Sequence, residues 1–168
     1  PYLNFKKRLM YRHKAAAIGF FETLHFVFDD ASKVKRFGLA TLSEDLDVAN
    51  PITSELNTLR SSLIPNILNA ISQNIKFGKK RVALFEVGSV FDANRVESKK
   101  MGFVFSGDEA LSDITNHGKP TSIDFFSFAR KIQSAIGTFT LNPLKEVNGL
   151  CSPYEAAEVI IDGVSAGY

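Results

Sequence analysis

Residues 50–91 constrain the fold of this chain most, because they place a turn, a helix and a strand in a fixed order. Asn50-Pro51 signals the turn, and Gly78 marks the end of the helical segment that follows. Pro65 stands at the start of that segment, where a proline has no amide hydrogen bond to lose. Residues 81–91 then form an apolar run that is typical of a central strand buried on both faces. The helical spacing is carried by Ile64, Ile67, Leu68, Ile71 and Ile75.

The sequence before this stretch predicts two helices and a strand. We expect a helix over residues 6–18 with Gly19 as its C-cap, followed by an aromatic-rich strand over residues 20–28. Asp30 is expected to cap a short helix that ends at Lys35. Residues 46–50 are expected to be extended, because the residue before a proline avoids the helical region. The apolar positions are Leu9, Met10, Ala16 and Ala17 on the helix, and Leu24, Phe26 and Phe28 on one side of the strand.

The sequence after it mixes strands and one helix. We expect a strand over residues 101–105, a helix over residues 124–136 with Ser122 as N-cap and Gly137 as its end, and a hairpin that turns at Asp162-Gly163. Residues 139–141 and 144–147 are expected to be short strands. Since strands and helices do not alternate strictly and hairpins imply antiparallel pairing, we predict an α+β fold with a mostly antiparallel sheet flanked by helices. The expected helix face is Phe125, Phe128, Ile132 and Ile136.

Composition bounds the class of protein. The 168 residues, 45% of them hydrophobic, suit one domain with a full core, so we expect a single domain over residues 1–168. The single cysteine, Cys151, forms no internal disulfide, which favours a reducing compartment and an inert thiol. No apolar run is long enough to span a bilayer. Both ends of the chain lead us to expect a fragment of a longer protein.

Basic residues are concentrated in the first part of the chain. Residues 1–100 hold 16 Lys or Arg against 10 Asp or Glu, whereas the whole chain has a net charge of +2. The clusters, at residues 6–8, 12–14, 33–36 and 79–81, either face phosphates or form solvated surfaces, and the second reading is favoured for a domain of modest charge.

Two parts of the chain resemble class II aminoacyl-tRNA synthetases. Gly19-Phe20-Phe21-Glu22 after a helix looks like the first signature of that family, which builds its dimer interface. The strand that ends at Phe91 is similar to the next part, in which Phe-Arg-x-Glu supplies the arginine that holds the ATP α-phosphate. This chain has Phe91-Asp92-Ala93-Asn94, and a negative charge repels a triphosphate. A third, glycine-rich signature ending in arginine has no counterpart, so no catalytic residue is expected.

The resemblance is most specific to the β subunit of bacterial phenylalanyl-tRNA synthetase. That family has a proline-containing turn, a Leu-Arg-x-Ser-Leu-x-Pro helix start and a Phe-Glu-hydrophobic-Gly strand. Residues 123–126 are similar to its Asp-Phe-Phe helix start, and residues 152–163 are similar to its later strand and hairpin. Cys151-Ser152-Pro153-Tyr154 departs from the family's usual His-Pro-Gly motif at that position. The motif positions in this chain are Asn50, Pro51, Arg60, Pro65, Phe85, Glu86 and Gly88.

This resemblance implies a non-catalytic, pseudo-catalytic module that supports a catalytic α subunit in a cytoplasmic heterotetramer. ATP, magnesium and phenylalanine would bind in the α subunit, no cofactor or metal would bind in this chain, and tRNA would be reached through the holoenzyme. An obligate interface is large and apolar, so we expect an exposed apolar patch on the first helix and the strand after it. The expected interface residues are Leu9, Met10, Phe20, Phe21 and Leu24.

Two alternatives stay open. A small ATP-dependent ligase would need Lys79 or Arg95 to replace the missing arginine, and an RNA-binding module would use the basic N-terminal half. Arg60 could contact RNA or a partner, but an ion pair with Glu86 is the favoured reading, because a carboxylate inside an apolar strand needs a partner. No metal site is expected, because the three histidines, His13, His25 and His117, are scattered without ligand spacing.

Overall fold

The protein is described from a computed structural model, which defines residues 2–41, 48–110, 112–144, 151–152 and 154–168. Within these residues there are four helices and nine strands. The helices are α1 Tyr2–Ala17, α2 Ala31–Arg36, α3 Ile64–Lys76 and α4 Phe125–Ile136. The strands are β1 Phe21–Glu22, β2 Phe28–Asp29, β3 Thr58–Leu59, β4 Arg81–Phe91, β5 Glu97–Ala110, β6 Thr121–Ser122, β7 Thr140–Pro143, β8 Ala157–Ile161 and β9 Val164–Gly167.

The strands form three sheets, and most of their pairs are antiparallel. The largest sheet has the order β1-β4-β5-β6, in which β1 is parallel to β4 and β6 is antiparallel to β5. Strands β2 and β3 form an antiparallel pair, and β7, β8 and β9 form an antiparallel meander. The predicted α+β class with a mostly antiparallel sheet is confirmed.

The chain divides into two compact units, each assembled from three separate segments. A single domain over residues 1–168 therefore stays a prediction. The first unit contains Pro1–His25, Asn66–Val87 and Met101–Ile136, and the second contains Phe26–Pro65, Gly88–Lys100 and Gly137–Tyr168.

An aromatic cluster forms the core of the first unit. Phe20 is only 3% exposed and meets Phe103 edge-on, with 5.5 Å between ring centroids, and Phe85 stacks on Phe103 at 6.1 Å. Helix α1 packs on α4, and Ala15 and Ala135, one on each helix, are fully buried. Small residues at these positions let the two helices approach each other closely.

The predicted C-terminus of α1 is confirmed, whereas the prediction of one strand over residues 20–28 is wrong. Gly19 has φ +91°, and the amide of Phe20 donates to the carbonyl of Ala15 at 3.1 Å, which closes the helix end. Instead of one strand over residues 20–28, β1 pairs with β4 and β2 pairs with β3. The segment changes its partner strand: the amide of Thr23 donates to the carbonyl of Phe85 in β4, whereas Phe28 pairs with Leu59 in β3, so no single strand runs through it.

Aspartates cap both α2 and α4. Asp30 accepts from the amides of Ser32 and Lys33, so its prediction is confirmed. The N-cap of α4 is Asp124 rather than the predicted Ser122, which lies in β6. Asp124 immediately precedes the first helical residue, so its carboxylate reaches the amide three residues ahead.

Helix α3 has the predicted start and end. Pro65 is fully buried in the first turn, Ile67 and Ile71 are buried, and Gly78 has φ +83° just beyond the last helical residue. Ile75 in the last turn was predicted to share this face, but it is exposed.

Strand β4 has the predicted bounds, and its residues 82–86 and Val90 are buried. Strand β5 is much longer than the predicted residues 101–105, because the exposed polar and charged residues at its start, 97–100, carry no apolar signal. The hairpin of β8 and β9 is confirmed, with Asp162 at φ +52° and Gly163 at φ +76°.

Some predictions fall on residues outside the described ranges. Of the predicted strand 144–147 only Leu144 is described, and of the extended segment 46–50 only residues 48–50 are. No helix in the described part of the chain is long and apolar enough to cross a membrane.

Candidate functional site

The N-terminal half of α1 presents large apolar side chains to solvent. At about 100° per residue, Leu9 and Met10 point roughly 120–140° away from Ala15, the helix residue buried against the core. Leu9 and Met10 therefore lie on the exposed side of the helix, where the expected apolar patch was placed, and their contact with a partner subunit stays a prediction. The exposed apolar residues of α1 are Tyr2, Leu3, Phe5, Leu9 and Met10.

The segment after α1 adds two more exposed apolar side chains. Phe21 in β1 is 74% exposed and Leu24 is 79% exposed. Phe20 differs from them, because it is buried against Phe103 and Phe105 and offers nothing to a partner. We call the exposed set the α1–β1 surface, and it consists of Tyr2, Leu3, Phe5, Leu9, Met10, Phe21 and Leu24.

The α1–β1 surface lies on a strongly basic helix. Helix α1 contains five Lys or Arg residues and no acidic residue. The charge of Arg12 is paired with Glu22, with 2.7 Å between Arg12 Nε and Glu22 Oε1. The geometry of this ion pair is not that of a hydrogen bond. Lys6 lies over the ring of Tyr2, with 4.7 Å between Nζ and the ring centroid. A partner that covers this helix must therefore combine apolar and acidic groups.

Glu86 is the buried carboxylate of β4. It is 1% exposed, and its Oε2 lies 2.7 Å from Nδ1 of His25, so the expectation that an inward Glu86 needs a partner is confirmed. Just before His25, Thr23 donates through its amide and its hydroxyl to the carbonyl of Phe85. Beyond the two residue pairs that join β1 to β4, these bonds therefore hold the segment after β1 against β4. The contact of His25 with Glu86 adds to these bonds and joins the segment after β1 to β4.

Arg60 is a buried structural residue of the second unit. It is 2% exposed, and its Nε donates to the carbonyl of Ser89 at 2.9 Å. Its amide donates to Val27 and its carbonyl accepts from the amide of Phe91, both at 2.9 Å. Burial leaves the guanidinium inaccessible to RNA, while an ion pair with Glu86 stays a prediction.

The residues at the end of β4, where the related enzymes carry the ATP-binding arginine, form a tight turn. Asp92 Oδ1 accepts from the amides of Asn94 at 2.8 Å and Val96 at 2.9 Å. The amide of Arg95 donates to the Asp92 carbonyl, and Arg95 has φ +62°. Asp92 therefore shapes the connection between β4 and β5, a role that sequence reasoning missed and that its turn-forming residue type could have suggested.

The other motif positions are structural or peripheral. Phe85 is fully buried in the core, Gly88 lies half-buried within β4, and Asn50 and Pro51 are exposed in an irregular segment. Over the described ranges, no three His, Cys, Asp or Glu side chains are grouped as metal ligands. His25 as the partner of Glu86 was also missed, because the two residues are 61 positions apart.

A likeness among solved structures concerns the fold alone. The structure of PylSc, a pyrrolysyl tRNA synthetase from Desulfitobacterium hafniense, superposes with a TM-score of 0.54 over 90% of this chain and 52% of that one, at 16% sequence identity. The two chains therefore share a fold.

Sequence comparisons are more specific. The chain is 46% identical over 166 residues to the phenylalanine–tRNA ligase beta subunit of Sulfurimonas denitrificans, and 40% identical over 167 residues to that of Campylobacter jejuni strain RM1221. Each match covers 99% of this chain, which spans about a fifth (21%) of the length of each relative. The family model described as the phenylalanyl tRNA synthetase beta chain CLM domain matches residues 3–168. The chain therefore belongs to the family of phenylalanyl-tRNA synthetase beta chain CLM domains.

Proposed function

We propose that this chain is a non-catalytic structural module of a phenylalanine–tRNA ligase β subunit, which supports the catalytic α subunit during aminoacylation of tRNA in the cytoplasm. The observation that carries the proposal is the α1–β1 surface. Its seven large apolar side chains are exposed, and five of them belong to α1, a helix without acidic residues. Monomeric proteins rarely leave such a set uncovered, and obligate subunit interfaces are apolar.

The end of β4 supports the non-catalytic part of the proposal. A triphosphate needs placed cations, but Asp92 stands there with its carboxylate turned to the amides of Asn94 and Val96. These residues do not fit ATP. We therefore place ATP, magnesium and phenylalanine in the α subunit, and tRNA contact in the holoenzyme as a whole.

The test introduces Leu9→Glu with Met10→Glu into the full-length β subunit that carries this chain, and mixes it with its α subunit. If α covers the α1–β1 surface, the two carboxylates are buried without partners, and we expect assembly to weaken by at least about 100-fold. Size exclusion with light scattering measures the α–β complex. Ile114→Glu is the matched control, because Ile114 is also exposed and lies outside this surface.

The control variant is expected to assemble like the wild type. Full assembly of the Leu9→Glu, Met10→Glu variant would sink the proposal that this surface meets the α subunit. Equal weakening by the Ile114→Glu control would show a general effect of added charge and would count against it too.

A further inference from the structure

A second exposed feature is the connection between α3 and β4, which we call the basic loop and define as residues 76–81, including the last residue of α3 and the first residue of β4. Four of its six residues are basic, none is acidic, and all six are exposed. Phe77 is the extreme case, since 85% of it is exposed in the middle of these cations. An aromatic ring in that position contributes nothing to the core of its own unit.

The basic loop has a defined backbone. Gly78 has φ +83°, its amide donates to the carbonyl of Ile75 at 2.9 Å, and the amide of Lys79 donates to Asn74 at 3.1 Å. The carbonyl of Lys80 lies so close to Gly107 of β5 that a Cβ there would come within 1.8 Å of it. The side chains of the loop are therefore presented from a fixed frame, which lowers the entropy lost on binding.

The lysine charges of the loop are available. Within the described part of the chain, no ion pair involves Lys76, Lys79 or Lys80. On the neighbouring strand β5, Glu109 is paired with Lys131 at 3.0 Å, and Asp108 adds one negative charge against the four positive ones. The local field is positive and attracts a polyanion.

We infer that the basic loop is an RNA contact, in which the lysines bind phosphates and Phe77 stacks on an unpaired base. Cations that follow a backbone together with an exposed ring are the combination that binds single-stranded RNA. An acidic protein partner would also match the lysines, and loss of α–β assembly in the loop variants would identify it. The inference rests on the proposed function in one respect, because a tRNA ligase module meets tRNA.

The test measures the affinity of the α–β holoenzyme for a phenylalanine tRNA transcript by filter binding, between about 50 and 200 mM salt. Lys79→Ala with Lys80→Ala removes two phosphate contacts, so the slope of log affinity against log salt is expected to become shallower by roughly 1.5. Phe77→Ala is expected to weaken binding roughly 10-fold. The matched controls, Lys100→Ala with Lys119→Ala and Tyr154→Ala, remove the same groups from other exposed positions.

Assembly of each sample is read by light scattering, which separates the two proposals: weakened assembly of the Leu9→Glu, Met10→Glu variant tests the proposed function, whereas the salt slope and affinity of assembled loop variants test the RNA contact. An unchanged salt slope and affinity in assembled loop variants would overturn the inference. Loop variants that lose α–β assembly would overturn it as well, by assigning the loop to a protein partner.

Discussion

Asp124 links one hydrogen bond to the pH dependence of stability. The amide of Ser127 donates to Asp124 Oδ1 at 2.7 Å and lowers the pKa of Asp124. The carboxylate therefore stabilises the fold at pH values above its unfolded pKa, and this contribution is lost as the pH falls through the folded pKa. We expect Asp124→Asn, which keeps a cap without the charge, to lose less stability in acid than the wild type.

Urea unfolding midpoints between about pH 7 and pH 3 measure this difference. Glu155→Gln, which neutralises an exposed carboxylate that caps no helix, is the matched control and is expected to follow the wild type. Parallel pH profiles for Asp124→Asn and the wild type would contradict the role assigned to Asp124.

For Glu86 and Asp92, the sequence predicts part of the role of the residue but not its bonding partners. That Glu86 needs a partner follows from its place in an apolar strand, since a buried charge must be compensated. That the partner is His25 does not follow, because the two meet only through the parallel pairing of β1 with β4. Asp92 could be recognised as a departure from a catalytic motif, whereas its turn-forming bonds depend on backbone geometry.

At the scale of elements, Gly107 fixes how the basic loop meets β5. Its φ is +94°, and an added Cβ would lie 1.8 Å from the Lys80 carbonyl oxygen, a backbone atom that cannot move alone. We expect Gly107→Ala to lower the free energy of unfolding by roughly 3 kcal/mol or more. Gly118→Ala is the matched control, since Gly118 has φ +72° with open space around it and bears only the conformational term of about 1–2 kcal/mol.

Urea unfolding of the two variants separates the steric effect from the conformational one. Equal losses of unfolding free energy in Gly107→Ala and Gly118→Ala would show that the Lys80 carbonyl does not exclude a side chain at position 107.

Elements with strong local signals were predictable, and those that depend on distant partners were not. Helix α3 has an apolar stripe, a first-turn proline and a terminal glycine, and the hairpin of β8 and β9 has an Asp-Gly turn. Strands β1 and β2 hold two residues each, and their existence depends on β4 and β3, which lie far away in sequence. The exposed apolar patch on α1 was expected from the family resemblance and not from periodicity, because periodicity does not say which molecule covers an apolar face.

For the whole molecule, the fold class was predictable from the sequence, whereas the division into two compact units was not. The mixture of helices and hairpins indicates an α+β fold. The two units are each built from three interleaved segments, and no composition shift marks their limits. The α1–β1 surface also belongs to this scale, because its seven apolar side chains are exposed and take no part in the core of the first unit.

Binding of ATP distinguishes a free-standing ligase from a non-catalytic module. We expect calorimetric titration of this chain with ATP and magnesium to give no binding, because the turn after β4 offers the carboxylate of Asp92 in place of a cation. Asp92→Arg is not expected to create binding, since it removes the acceptor for two turn amides and alters the connection between β4 and β5. Saturable ATP binding by the wild-type chain would instead favour the ligase, and loss of that binding on changing Lys79 or Arg95 to alanine would identify the replacing cation.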